Sequence, residues 1–185
     1  MTYAPLWRRI FAYAIDVMIA YGIVLVVFQS FIFPLAFMMV GEFYLSGPLI
    51  EIYTLLTISL PVWLYFAFLE SRKRGASLGK RLLSIKVNTE DGQTLRFNQA
   101  LTRIVIKLLP WEIAHMAINL PVNAWINPQT GTIDPATATL GPFRSGFLLS
   151  VYILALWYLF LAWRSEKNQS LHDRVMNTVV LLDEP

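Results

Sequence analysis

The stretch "LWRRIFAYAIDVMIAYGIVLVVFQSFIF", Leu6 to Phe33, decides how the rest of the chain is read. Two arginines open it, a single aspartate, Asp16, interrupts it, and the rest is apolar over a length that a soluble helix does not need. About 20 apolar residues in a helix cross the roughly 30 Å hydrocarbon core of a bilayer, where only helices or closed barrels leave no backbone group unpaired. Composition points the same way. Of 185 residues, 56% are hydrophobic and 15% charged, against about 45–50% and about 25% in an ordinary soluble domain. The fold class is therefore an all-α polytopic membrane protein. With no polar or low-complexity linker, residues 1–185 form a single domain. Cysteine is absent, which excludes disulfides and thiolate metal sites.

Apolar runs at about 49–69, 100–122 and 146–163 join the first at about 10–33. The third carries Arg103, Lys107, Glu112 and His115, and each central charge costs roughly 2.5–3.5 kcal/mol to insert unless something offsets it. Loop charge argues for counting it as a span. Arg8 and Arg9 precede the first run. Seven basic residues, Arg72, Lys73, Arg74, Lys80, Arg81, Lys86 and Arg96, lie between the second and third, and Arg164, Lys167 and Arg174 follow the last. The connections around 34–48 and 123–143 have no Lys or Arg. The positive-inside rule then places both termini in the cytoplasm, which requires an even number of spans, four transmembrane helices in all. The expected location is the cytoplasmic (inner) membrane. "RRIF" is not read as a twin-arginine export signal, because the apolar run is too long, contains Asp16 and leads into further spans.

The connection "RLLSIKVNTEDGQTLRF" alternates apolar and β-branched residues around Asp91-Gly92. It predicts a cytoplasmic hairpin over about 83–97, with strands near Leu83–Asn88 and Thr94–Phe97. The tail "NTVVLLD", Asn177 to Asp183, reads as a further strand. Since two strands alone are marginal in water, it is expected to add to the hairpin as a small sheet.

Three blocks, "WRRIFAYAID" at Trp7 to Asp16, "GASLGKRLLSIKVNTEDGQTLRF" at Gly75 to Phe97 followed by Arg103, and "SLHDRVMNTVV" at Ser170 to Val180, resemble the signature blocks of the RDD membrane proteins. That family is named for one arginine and two aspartates. The resemblance implies Arg9 for the arginine, Asp16 for the first aspartate and Asp173 for the second. It also implies an integral membrane domain with a suspected role in transport. The loop from Pro121 to Phe143 falls outside the blocks.

Asp16 lies seven residues, about 10.5 Å of helix axis, from Arg9 on the same face. Ala12 and Ala20 flank it one turn away, and small residues at that spacing admit another helix closely. Asp16 should face protein. Arg103 and Lys107 are its first expected charge partners and Arg174 its second, while Arg9 is free to snorkel to the headgroups. Asp16 is read either as half of a structural ion pair or as a titrating proton or ion site. Pro110 and Pro61 are expected to bend their helices and free carbonyls. Glu112 and His115 form a Glu-x-x-His pair, read as buried and hydrogen-bonded or as proton-handling, with Glu51 able to join it. No metal site is expected. "GASLGKR" lacks the spacing of a phosphate-binding loop, and the adjacent Ser170, His172 and Asp173 do not make a hydrolase triad.

Two functions of different classes follow. One is movement of an ion or small polar solute, with Asp16 as the candidate for proton coupling, Arg9, Arg103, Lys107 and Asp173 as further binding or coupling candidates and Glu112, His115 and Glu51 as secondary ones. The other is a non-catalytic membrane subunit or assembly factor that recruits a partner through its cytoplasmic face. Neither is an enzyme and neither needs a cofactor. The expected partners are the lipid bilayer, a second copy of the chain or another membrane protein, and no nucleic acid.

Overall fold

The computed structural model describes residues 2–31, 35, 43–120, 123–126 and 142–183. Helix α1 (Leu6–Ile23) starts after Pro5, whose extended backbone sets the helix entry, and widens into a π-helical stretch over Val24–Gln29. Strand β1 (Phe43–Ser46) leads into α2 (Gly47–Glu70), which is π-helical over Leu55–Ser59, just before Pro61. Proline has no N–H to donate and crowds the carbonyl four residues back, and a wider turn relieves both problems. The short α3 (Leu78–Leu82) and strand β2 (Ile85–Thr89) follow, then α4 (Phe97–Asn119), β3 (Asn123–Ile126), α5 (Pro142–Trp163), the short α6 (Leu171–Val175) and β4 (Thr178–Leu182).

Over their described residues, all four expected apolar runs are helical, in α1, α2, α4 and α5, while residues 32–33 and 121–122 of the expected runs lie outside the described residues. Two helices, Gly47–Glu70 and Ser145–Trp163, are long and apolar enough to cross a membrane. The outward faces carry large apolar side chains, among them Met18 on α1 and Tyr152, Leu156 and Trp163 on α5. Patches of that extent mark a surface meant for lipid or protein rather than water. On the inside, Ala20, Val24, Val62, Phe66, Ile104 and Leu108 bring α1, α2 and α4 together. Helix α5 packs on α4. There the hydroxyl of Tyr158 donates to the Ile106 carbonyl at 2.9 Å, the acceptor that the missing N–H of Pro110 leaves open. The freed carbonyl that Pro110 predicts is thus real, and the last long helix satisfies it.

Two small antiparallel sheets close the ends. At the far end β1 pairs with β3. At the end bearing both termini β2 pairs with β4, Ile85 opposite Leu182 through Thr89 opposite Thr178. The N-terminal residues extend this second sheet, with a bridge between Tyr3 and Leu181 and the Ala4 N–H donating to the Val180 carbonyl at 2.9 Å. The hairpin expectation needs correcting. Asp91-Gly92 does make a turn, with Gly92 at φ 80°, but Thr94–Phe97 is not a strand. Leu95 is spent in the core with Ile85, Val87 and Val180, and Phe97 already begins α4. The tail strand, not the hairpin return, is the partner of β2.

Candidate functional site: a buried ion network and a polar seam

The charged residues of the three sequence blocks meet at the terminal end of the bundle. Asp173 is at the centre, on α6, fully buried. One of its carboxylate oxygens accepts from the Arg103 guanidinium, at 2.5 Å from Nη2 and 3.1 Å from Nε. The other accepts from Arg9 and from the backbone N–H of Ser170. Arg9 also donates to the carbonyl of Asn168. It therefore folds inward onto the tail instead of snorkelling. Arg103 extends the network, its Nη1 reaching Glu70 Oε2 at 2.7 Å and its Nε reaching Thr178 Oγ1 at 3.2 Å. Lys80 caps the other oxygen of Glu70 at 2.5 Å and donates to Ser77 Oγ at 3.2 Å. Placing a charged donor on each oxygen of both carboxylates is the arrangement that compensates for taking such groups out of water.

Asp16 joins this network indirectly. Its Oδ2 accepts from Ser77 Oγ at 2.5 Å, and its Oδ1 accepts from the Gly79 N–H at 2.7 Å and Tyr65 OH at 3.0 Å. Among the described residues it has no ion-pair partner, so the expected contacts with Arg103, Lys107 or Arg174 are replaced by three neutral donors. Arg174 instead donates to the carbonyls of Gln169 and Leu161. The small residues around Asp16 do what their spacing predicts, but the visitor is the short helix α3, led by its N-cap Ser77, rather than a long helix. A Cβ on Gly79 would lie 2.2 Å from the Ala12 carbonyl oxygen and 3.0 Å from Asp16 Cγ. Only glycine permits that approach. "GASLGKR" is thus a clamp on α1 and α2, with Gly75 at φ 58° turning the chain into it.

His172 lines the same region, its Nε2 3.6 Å from Asp173 Oδ2. Burial, followed by the repulsion of Arg103, Lys107 and Arg9, outweighs the attraction of Asp173 and holds the imidazole well below its ordinary value, so it is neutral at pH 7. Burial opposes ionisation of Asp173, but the permanently charged Arg103 and Arg9 outweigh it and keep the carboxyl well below the usual carboxylate range.

A second set of polar groups continues along the contact between α2 and α4. Glu112 Oε2 accepts from Ser59 Oγ at 2.8 Å, with His115 Nδ1 at 3.8 Å. Further along, Asn119 Nδ2 donates to Glu51 Oε2 at 3.0 Å and to Thr54 Oγ1 at 3.1 Å. Glu51 therefore pairs with Asn119 and not with the Glu112–His115 pair. From Arg103 to Asn119 the seam rises about 24 Å along α4. Beside it, between the two π-helical stretches, Tyr53 OH donates to Gln29 Oε1 at 2.8 Å and Gln29 donates to Thr57 Oγ1 at 3.2 Å.

The arginine and two aspartates of the motif thus fall in one network, Arg9 directly on Asp173 and Asp16 through Ser77, Lys80, Glu70 and Arg103. The model of the RDD family matches residues 3–177. The chain belongs to the RDD family. Comparison with curated proteins and with solved structures gives no match. Three members of this RDD network escape the sequence reading. Glu70 ends an apolar run against "SRKR", where it looks like an exposed helix end, and Lys80 and Ser77 sit in a segment set aside for failing another motif. A carboxylate closing the second span, directly before a basic cluster, is the signal that would have found Glu70.

Proposed function

We propose that this RDD protein moves an ion or small polar solute across the cytoplasmic membrane, with four spans (α1, α2, α4 and α5) and both termini in the cytoplasm. The observation that carries the reading is the polar seam. Ionisable and hydrogen-bonding groups recur between α2 and α4 over about 24 Å, close to the roughly 30 Å of a hydrocarbon core. Groups of this kind are expensive inside a membrane and mark conduction or proton paths by default. Three carboxylates, Asp16, Glu112 and Glu51, are held by neutral donors rather than by lysine or arginine among the described residues. A carboxylate free of a fixed cation can exchange a proton without breaking an ion pair. Asp16 lies at the cytoplasmic end of the path and is the coupling candidate.

The test is flux in liposomes containing the purified chain alone. Cation flux that depends on pH in the wild type and disappears in a folded Asp16→Asn variant supports the reading. Flux unchanged in Asp16→Asn removes Asp16 from the coupling role. Absence of flux in the wild type favours the second reading, a non-enzymatic membrane subunit or assembly factor working with a second copy or another membrane protein. The completeness of ion pairing around Asp173 supports that alternative, since a lock needs nothing to move. Topology is checked separately. A cysteine at Gln93 should be shielded from an impermeant thiol reagent in intact cells, while one at Thr137 should react, and the reverse order would overturn the orientation.

A further inference from the structure

A cleft of about 330 Å³ opens between α1 and α5, with α4 as its floor. Its inner wall is cationic, formed by Arg9, Lys80, Arg103 and Lys107, and its outer walls are apolar, with Ile10 on one side and Leu159 on the other. Both of these apolar residues are exposed on the outside of the bundle.

The cations are not equivalent. Arg9, Lys80 and Arg103 are committed to Asp173 and Glu70. Lys107 has no hydrogen-bond or ion-pair partner among the described residues, and its ammonium is held over the faces of Tyr13 and Phe66, 4.1 and 5.1 Å from the ring centroids. Lys107 is thus the one cationic side chain of this wall that meets no carboxylate among the described residues. Two aromatic rings offset part of the cost of a lysine at that depth, but an anion would offset more.

The walls decide what kind of anion. A small free anion would pair with Lys107 and leave the apolar walls facing water, whereas an amphiphile satisfies both. Lys107 also lies seven residues, about 10 Å, past the start of the expected third span, deeper than the ordinary headgroup plane. Its occupant is drawn into the bundle rather than resting against it. We propose that the cleft binds one anionic phospholipid, its phosphate on Lys107 and an acyl chain between Ile10 and Leu159.

The experiment uses the full chain, purified in mild detergent, loaded with mixed lipid and read by native mass spectrometry. One phosphatidylglycerol is expected to remain bound under conditions that strip phosphatidylcholine. Removing a hydrogen bond between charged groups should weaken retention about tenfold in Lys107→Gln, while Lys107→Arg keeps it and Leu159→Trp, which fills the apolar side, loses it. Lys86→Gln, on the exposed sheet, should behave as wild type. Should Lys107→Gln fail to fold, Leu159→Trp against Lys107→Arg decides the question alone. Equal retention of both lipids, or equal retention by wild type and Leu159→Trp, overturns the proposal. Displacement of phosphatidylglycerol by millimolar inorganic phosphate would assign the site to a free anion and overturn it as well.

Discussion

The two ends of the seam between α2 and α4 handle their carboxylates in opposite ways. At the terminal end Glu70 and Asp173 have every oxygen on a lysine or arginine, and Arg103 ties the two together. At the far end Glu112 and Glu51 rest on a serine and an asparagine. The difference teaches where charge locks and where it can change. A fully paired ion network is costly to assemble from water, yet breaking one partner costs more than never having built it, because the survivor is left buried and unpaired. Neutral donors exact no such penalty, so a carboxylate on them can lose its charge with only local adjustment.

Four outcomes sharpen or break that contrast. The largest effect is expected for Glu70→Gln, which strips both Lys80 and Arg103 of a charge partner and should cost about 3–5 kcal/mol. Denaturation in detergent checks it, and a double variant that also replaces Lys80 by Met should recover part of the loss. Next comes Asp16→Asn. It keeps shape but turns an acceptor of three bonds into a group with one acceptor oxygen, for an expected loss of about 1.5–3 kcal/mol. A loss as large as that of Glu70→Gln would mean that a cation does pair with Asp16. Glu112→Gln should cost only about 1 kcal/mol, since the amide oxygen still accepts from Ser59; a cost equal to that of Glu70→Gln would erase the distinction between the ends.

The fourth outcome is a pH dependence. His172 is held neutral in the folded protein, its value depressed by burial and by Arg103, Lys107 and Arg9. Its contribution is therefore present above about pH 6.5, the ordinary histidine value, and is lost as pH falls below it toward the folded value. The slope is at most about 1.4 kcal/mol per pH unit. Melting temperatures between pH 7.5 and 5 should fall in the wild type and fall less in His172→Gln. An identical slope in the variant would remove His172 as the cause.

How much of this the chain announces depends on the range over which each feature acts. The helices around Leu6–Ile23, Gly47–Glu70, Phe97–Asn119 and Pro142–Trp163 are legible because an apolar run is a local property, read against one fixed bilayer thickness. The open carbonyl at Ile106 is equally local, since a proline always leaves the group four residues back without its donor. Strand pairing is not. The β2 sequence is competent to pair with either its own hairpin return or the tail, and the choice is made by where Leu95 is buried and where α4 begins. Charge pairing is less local still. Asp16 meets Ser77 across 61 positions, Arg103 meets Asp173 across 70 and Arg9 meets Asp173 across 164.

The chain alone thus determines that Asp16 and Arg103, set inside apolar runs, must be satisfied by protein, because desolvation penalises them whatever the partner. Only the tertiary structure decides who satisfies them. Gly79 can approach within reach of Ala12 and Asp16, so the start of α3 takes the place at Asp16 that a cation would have filled. Arg103 is thereby left to Glu70 and Asp173, and Lys107 remains without a carboxylate among the described residues.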